Sequence, residues 1–227
     1  MKVALAVAIV AAAGSAASAQ TVFNAGFDNG YFTPFNANSP SSLRYADSGW
    51  LGFGPAVGLR DITLGFAVSA SGPVAAGTTD LTFTFNDGDP SGLVFGSAAT
   101  LYSTTLTNVQ LPALEGGAPG FFYVTIPLPG VSTLGGFNNI GWSIGVQNYS
   151  YAGDFGFQCG SAFAQTVGFY TNNATTFNNG SWSQFSFGGD PVTGVANFVA
   201  QVTVPTPGAA AVLGLAGVAA FRRRRAR

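Results

Sequence analysis

The sequence predicts an all-β protein, an antiparallel β-sandwich of jelly-roll-like topology, with a signal-peptide helix at its start and a hydrophobic helix at its end. Hydrophobic residues alternate at a period of two along several stretches of the middle, which is typical of half-buried strands. Clusters rich in Gly, Asn, Asp and Pro separate these stretches as turns. The 32 glycines and 21 phenylalanines, against one methionine, favour strands over helices.

The first predicted element is a leader, residues 1–19. Lys2 precedes an unbroken apolar stretch, 3–13, and the small residues Ala17, Ser18 and Ala19 match a cleavage site before Gln20. These features are typical of a secretory signal peptide, which is shorter than a membrane span and flanked differently. We therefore expect an exported protein.

The body, residues 20–204, is predicted to be one domain, because no linker or repeat divides it. Five strands are predicted within ITLGFAVSA, LTFTF, FYVTIPL, IGWSIGVQ and VANFVAQVTV. On each of them the alternate large residues are expected to share a buried face. The clearest example is the fourth stretch of this series, in which Ile140, Trp142, Ile144 and Val146 alternate with small residues.

The body is acidic. Arg44 and Arg60 are its two cations, against nine acids and no lysine or histidine, which gives a net charge of −7. Phosphate binding needs clustered Lys or Arg, so nucleic acid is excluded as a partner. Neutral partners or cations suit such a body better.

The composition also argues against catalysis. Without histidine there is no Ser-His-Asp triad, no Cys-His pair and no His-bound zinc. Glu115 is the one glutamate, and it and nearly all the aspartates lie beside turn-forming residues. We expect a non-enzymatic protein, with a paired-carboxylate hydrolase as the distant alternative. The single cysteine, Cys159, is expected to be a small buried residue, with an intermolecular disulfide or a reactive thiol as alternatives.

One loop suggests calcium as a cofactor. Asp87, Asp89 and Ser91 alternate and are followed by Gly92, as in the first half of an EF-hand-like loop. The second half is missing, because Ala98 stands where a bidentate Glu is needed. The alternative is a hairpin turn with no metal, for which Asp, Pro and Gly are ordinary residues.

Aromatic side chains suggest a carbohydrate ligand. Trp182 follows an Asn-rich loop, and we consider it a candidate for an exposed ring on which a sugar stacks. Tyr149 and Tyr151 are further candidates for exposed rings. The alternative for each is an aromatic residue that packs in the core or against a turn, which is also the simplest interpretation of Trp142.

The last predicted element is the tail, residues 205–227. Thr206 and Pro207 suit the opening of a helix, and the next 14 residues, 208–221, carry no charge. As a helix they span about 21 Å, which is short for a bilayer core of about 30 Å. The arginines that follow are expected to stay on the cytoplasmic side; they are Arg222, Arg223, Arg224 and Arg225.

This tail resembles the bacterial PEP-CTERM sorting signal. Pro205 and Pro207 match the two prolines of its motif, and the arginine cluster matches its basic end, whereas Thr206 stands where the family usually has Glu. The resemblance covers residues 204–227. It implies an exosortase, a membrane protease-transpeptidase, as the partner that reads the hydrophobic sorting helix.

The same resemblance implies a structural or adhesive role at the cell surface or in the extracellular matrix, as in a biofilm. The alternative is a carbohydrate-binding module that contacts extracellular polysaccharide, with calcium as its candidate structural ion. We expect processing of the tail, with a retained C-terminal anchor as the alternative.

Overall fold

A computed structural model describes residues 19–25, 28–93, 99–116, 119–160, 167–170, 174–184 and 197–205. Within these ranges the regular secondary structure consists of β-strands, with no helix, which confirms the all-β prediction. No described segment forms a helix that is long and apolar enough to cross a bilayer. The predicted terminal helices, with Thr206, Pro207 and Arg222 to Arg225, lie outside the described residues.

The described strands number thirteen. In chain order they are β1 (Ala19–Ala25), β2 (Asp28–Phe35), β3 (Arg44–Trp50), β4 (Asp61–Ser69), β5 (Gly77–Asn86), β6 (Thr100–Leu111), β7 (Gly120–Pro127), β8 (Asn139–Ser150), β9 (Asp154–Gly160), β10 (Phe169–Tyr170), β11 (Thr175–Asn178), β12 (Ser181–Gln184) and β13 (Ala200–Pro205). The chain divides into two units: Gln20–Val204 is the body, and Met1–Ala19 with Pro205–Arg227 is the other.

The strands form two antiparallel sheets. The first has the order β1-β13-β4-β9-β2, and β7 also pairs with β4. The second has the order β12-β11-β3-β8-β5-β6, and β10 also pairs with β3. Successive strands alternate between the sheets through much of the chain, because β3, β5 and β8 lie in the second sheet and β4, β7 and β9 in the first.

One hydrophobic core joins the two sheets. Rings contact each other across it: Phe23 of β1 lies 5.6 Å from Trp142 of β8, and Tyr45 of β3 lies 6.3 Å from Phe198, between ring centroids. The predicted alternation is confirmed, since the large residues named for one face are buried in β4, β5 and β8. In β7 the expected face is the better buried one, and Ile126 is fully buried.

Asp47 contradicts the expectation that the aspartates lie in turns. It lies in the middle of β3, is fully buried, and accepts a hydrogen bond from the backbone N–H of Phe198 at 2.8 Å. The neighbouring Ser-Gly pair resembles a turn in the sequence alone. The pairing of β3 with β8 keeps that segment extended.

The loops gather at two ends of the body. At one end, loop 51–60 leads from β3 to β4 and loop 128–138 leads from β7 to β8. The N–H of Arg60 donates to Thr203 O at 2.8 Å, so the last strand ends there as well. Gln20 lines a surface pocket of about 300 Å³ together with Leu51 and Phe53. Both ends of the body's chain therefore lie at this end, which we call the exit end.

The opposite end carries the loops 36–43, 70–76 and 151–153. These connect β2 to β3, β4 to β5 and β8 to β9, and they line an open groove of about 600 Å³. We call this the groove end. The two ends are separated by the length of the strands.

Candidate functional site

Four aromatic rings form an exposed cluster at the exit end. The cluster consists of Trp50, Phe53, Phe137 and Phe169, and we call it the aromatic patch. The side chains of Phe53, Phe137 and Phe169 are 73%, 54% and 53% exposed. Ring centroids lie 4.3 Å apart for Phe53 and Phe137 and 4.7 Å apart for Trp50 and Phe169. Contiguous exposed apolar surface of this kind marks a contact surface more often than scattered single residues do.

The loops that carry these rings are bound to each other. Gly54 and Gly136 each donate an N–H to the carbonyl of the other at 2.9 Å, and the N–H of Thr133 donates to Val57 O at 3.0 Å. Backbone hydrogen bonds between the two loops therefore hold Phe53 and Phe137 of the patch in place, and the rings contact one another directly.

Asn138 fastens the base of this loop pair. Its Nδ2 donates to Gly52 O at 3.1 Å, and its Oδ1 accepts from the hydroxyl of Thr133 at 2.6 Å. Its φ of 49° lies in the left-handed region, which asparagine adopts more readily than most residues. A buried amide in a special backbone conformation thus positions two exposed phenylalanines.

The sequence prediction missed the aromatic patch. Phe53 and Phe137 lie in GFG and GGF, outside any alternating stretch, so periodicity gave no reason to select them. The available signal was a large ring next to glycines in a predicted turn, where no core face exists to bury it.

The groove end presents polar groups. Asn36, Asn38, Ser71 and Asp154 line the groove, and Asn36 Oδ1 accepts from the N–H of Asn38 at 2.9 Å. Asp154 is the one charged residue in its lining. Amide, hydroxyl and carboxylate groups around an open groove suit a neutral, hydroxyl-rich ligand.

Two tyrosines that were candidates for exposed rings support the groove instead. Tyr151 is buried, which matches the alternative of an aromatic residue that packs in the core, and its hydroxyl donates to Pro112 O at 3.1 Å. Tyr149 is half-buried, and its hydroxyl donates to Gly153 O at 2.7 Å. Burial raises the pKa of Tyr149, with smaller contributions from Asp154 and Tyr151, so the phenol remains a donor.

Trp182 lies at the edge of the second sheet, in β12. It is partly buried and its ring lies 5.2 Å from that of Phe177 across the β11–β12 hairpin. The strands β11, β3 and β8 separate β12 from β5, so Trp182 is remote from the predicted calcium loop that follows β5. The packing against Phe177 matches the alternative interpretation, and a ligand at Trp182 stays a prediction.

The predicted calcium loop is held by its own hydrogen bonds. Asp89 is buried, and its carboxylate accepts from the N–H of Ser91 at 2.9 Å, from the N–H of Leu93 at 3.0 Å and from the hydroxyl of Ser91. Asp87 is also buried, and burial raises its pKa. Among the described side chains no three Asp, Glu or Cys residues cluster to hold a metal ion. Calcium binding stays a prediction.

Two further predicted positions are described. Cys159 is fully buried in β9, as expected for a small core residue, with Sγ 3.7 Å from Thr33 Oγ1. Pro205 is the last residue of β13, so the predicted sorting motif begins where a paired strand ends. Its other members, Thr206 and Pro207, lie outside the described residues.

The fold and these sites define an all-β protein of two antiparallel sheets, with an aromatic patch at one end and a polar groove at the other. Comparison of the chain with protein-family models, curated proteins and solved structures finds no match. The functional argument therefore depends on the residues themselves.

Proposed function

We propose that this protein is an exported, non-enzymatic protein of the cell surface or extracellular matrix, delivered by its PEP-CTERM-like tail and structural or adhesive in role. The observation that carries the proposal is the common exit of both chain ends. Gln20 follows the predicted leader, and Val204 precedes the predicted sorting signal. A body tethered to a membrane through either end then points its groove end away from that membrane.

The charge and the fold support this proposal. A body with seven more acids than cations disfavours polyanions, and the absence of histidine leaves the common hydrolytic constellations without a base. The alternation of successive strands between two sheets supports the jelly-roll-like topology, in which such crossings recur. An exosortase-like protease-transpeptidase is the partner proposed for the tail.

The mature protein from its native host is expected to lack residues 1–19 and the arginines 222–227. Leader cleavage removes the first segment, and tail processing removes the second. Intact-mass measurement and sequencing of both ends, after cell fractionation, check this expectation. A cytosolic protein with both segments still attached contradicts the proposal, whereas a surface protein that retains the arginines favours the plain C-terminal anchor.

The groove favours a second candidate function, a carbohydrate-binding module for extracellular polysaccharide. On a glycan array, Asn38→Ala and Asp154→Asn are expected to lose most of the binding of the unchanged chain, because each removes a polar group from the groove wall. Trp182→Ala is the comparison variant. Binding lost in Trp182→Ala alone would assign the ligand to the β11–β12 hairpin, and no binding by the unchanged chain would favour the structural role.

A further inference from the structure

We infer that the aromatic patch is a membrane-docking surface: its rings insert into the lipid interface and hold the exit end of the body against the bilayer. The inference rests on the proposed function, in that the tail first brings the body to a membrane. The ligand of the patch is then the zwitterionic lipid interface, and the residues that contact it are Trp50, Phe53, Phe137 and Leu134. The sorting signal alone does not imply such a contact by the body.

The length of chain outside the body restricts where the exit end lies. Only residues 205–207 separate Val204 from the uncharged stretch 208–221. Three residues span at most roughly 10 Å, even when fully extended. If the uncharged stretch is in the bilayer, the exit end is within that distance of the lipid interface.

The patch lies at that end and not elsewhere on the body. A series of hydrogen bonds leads from the last strand to it: the N–H of Arg60 donates to Thr203 O, that of Leu59 to Val131 O, and that of Thr133 to Val57 O. Phe53 and Phe137 follow on the paired backbone next to these groups. The aromatic patch and the chain exit therefore lie at the same end of the body.

The chemistry of the patch suits lipid. Leu134, in the same loop as Phe137, is 65% exposed, and none of the patch residues carries a charge. Trp rings are favourable at the interface between membrane and water, and Phe and Leu side chains are favourable where an apolar face is buried at the boundary between headgroups and acyl chains. An acidic body is repelled by anionic surfaces, so a neutral apolar contact is the form of membrane attachment open to it.

The hydrogen bonds that hold the loops of the patch lower the entropic cost of docking. Loops that must become ordered on binding lose conformational entropy. Here the paired glycines and the Asn138 amide already fix the loops, and the rings pack on one another. The patch therefore presents its apolar surface without a folding step.

The test uses the full chain reconstituted in phosphatidylcholine vesicles, with and without bromine on the acyl chains, and measures tryptophan quenching. Trp142 is fully buried and outside the range of contact quenching. We expect brominated lipid to quench the tryptophan fluorescence of the unchanged chain. The Trp50→Phe variant is expected to lose this quenching, and the Trp182→Phe variant is expected to retain it. The double variant Phe53→Ser with Phe137→Ser is expected to lose most of the quenching but still float with the vesicles.

The matched control is the double variant Phe121→Ser with Tyr123→Ser, which removes two exposed aromatic residues of β7. Its tryptophan fluorescence should be quenched as strongly as that of the unchanged chain. Flotation without Trp50 quenching overturns the docking inference and leaves the anchoring tail in place. Failure of the unchanged chain to float overturns the anchoring and the docking together. If a soluble glucan abolishes the quenching, the patch binds a sugar, and the inference is overturned. If the Trp50 emission shifts with protein concentration in the absence of lipid, the patch binds a second copy of the chain, and the inference is overturned as well.

Discussion

Replacement of Phe66 by alanine is expected to lower the free energy of unfolding of the body by about 3–5 kcal/mol, the usual cost of a buried Phe-to-Ala change. Phe66 is fully buried in β4, at the centre of the first sheet. Its ring stacks against those of Phe157, Phe155 and Phe122, at centroid distances of 5.0, 5.1 and 5.8 Å. The cavity left by the ring is bordered by other rigid rings, which cannot easily collapse into it.

Phe121 provides the control for this substitution. It lies on β7, next to Phe122, but points outward and is 46% exposed. We expect Phe121→Ala to change the stability by no more than about 0.5 kcal/mol, the usual range for surface substitutions. Urea unfolding with an unchanged m-value measures both. Similar losses for the two variants would contradict the placement of the core.

The stability of the body is expected to fall as the pH rises above 3.8, because burial raises the pKa of the Asp47 carboxyl group in the folded chain above its value in the unfolded chain. Burial raises its pKa well above the ordinary value of 3.8, two backbone N–H donors oppose this in part, and the nearby charge of Asp89 raises it further. The donors are the N–H groups of Phe198 and Ser48, both at 2.8 Å.

The sign follows from the two states. Above pH 3.8 the unfolded chain releases the Asp47 proton, whereas the folded chain keeps it up to its raised pKa. Between these two pKa values the folded state binds more protons than the unfolded state, and stability declines with rising pH. Asp87, whose pKa burial also raises, contributes in the same direction.

Thermal melting across this pH range tests the assignment. Asp47→Asn is expected to flatten the slope, although the amide costs some stability at every pH because it accepts at only one of its two atoms. Asp80→Asn is the control. Asn108 N–H and the Asn148 amide lower the pKa of this exposed carboxyl group, so its contribution is lost only as the pH falls below 3.8. An unchanged slope in Asp47→Asn would refute the role of Asp47.

The sequence was sufficient for those features that depend on neighbours along the chain. Alternation at a period of two is set by each strand alone, so the buried faces of β4, β5 and β8 were predicted correctly. The position of Asp47 depends on Phe198, far away in the sequence, and local turn propensity misplaced it. The sequence left Tyr151 open between an exposed ring and a packed one for a similar reason: its hydroxyl partner, Pro112, is brought close only by the fold.

The candidate sites were harder to predict than the strands. The aromatic patch combines residues from three separate segments, none of which is distinctive alone. Trp182 was selected for the polar loop before it, but the hairpin turn brings its ring against Phe177. The sorting signal was found from the sequence because its motif is contiguous, and it stays a prediction.

The hydrogen bond from the Gln201 amide to the Thr21 hydroxyl, at 2.8 Å, joins the first and last strands side by side. A domain whose two chain ends adjoin can be inserted into a surface loop of a host protein, because the two host residues that flank it stay close together. This body is therefore suited to circular permutation and to insertion between two neighbouring strands of another protein.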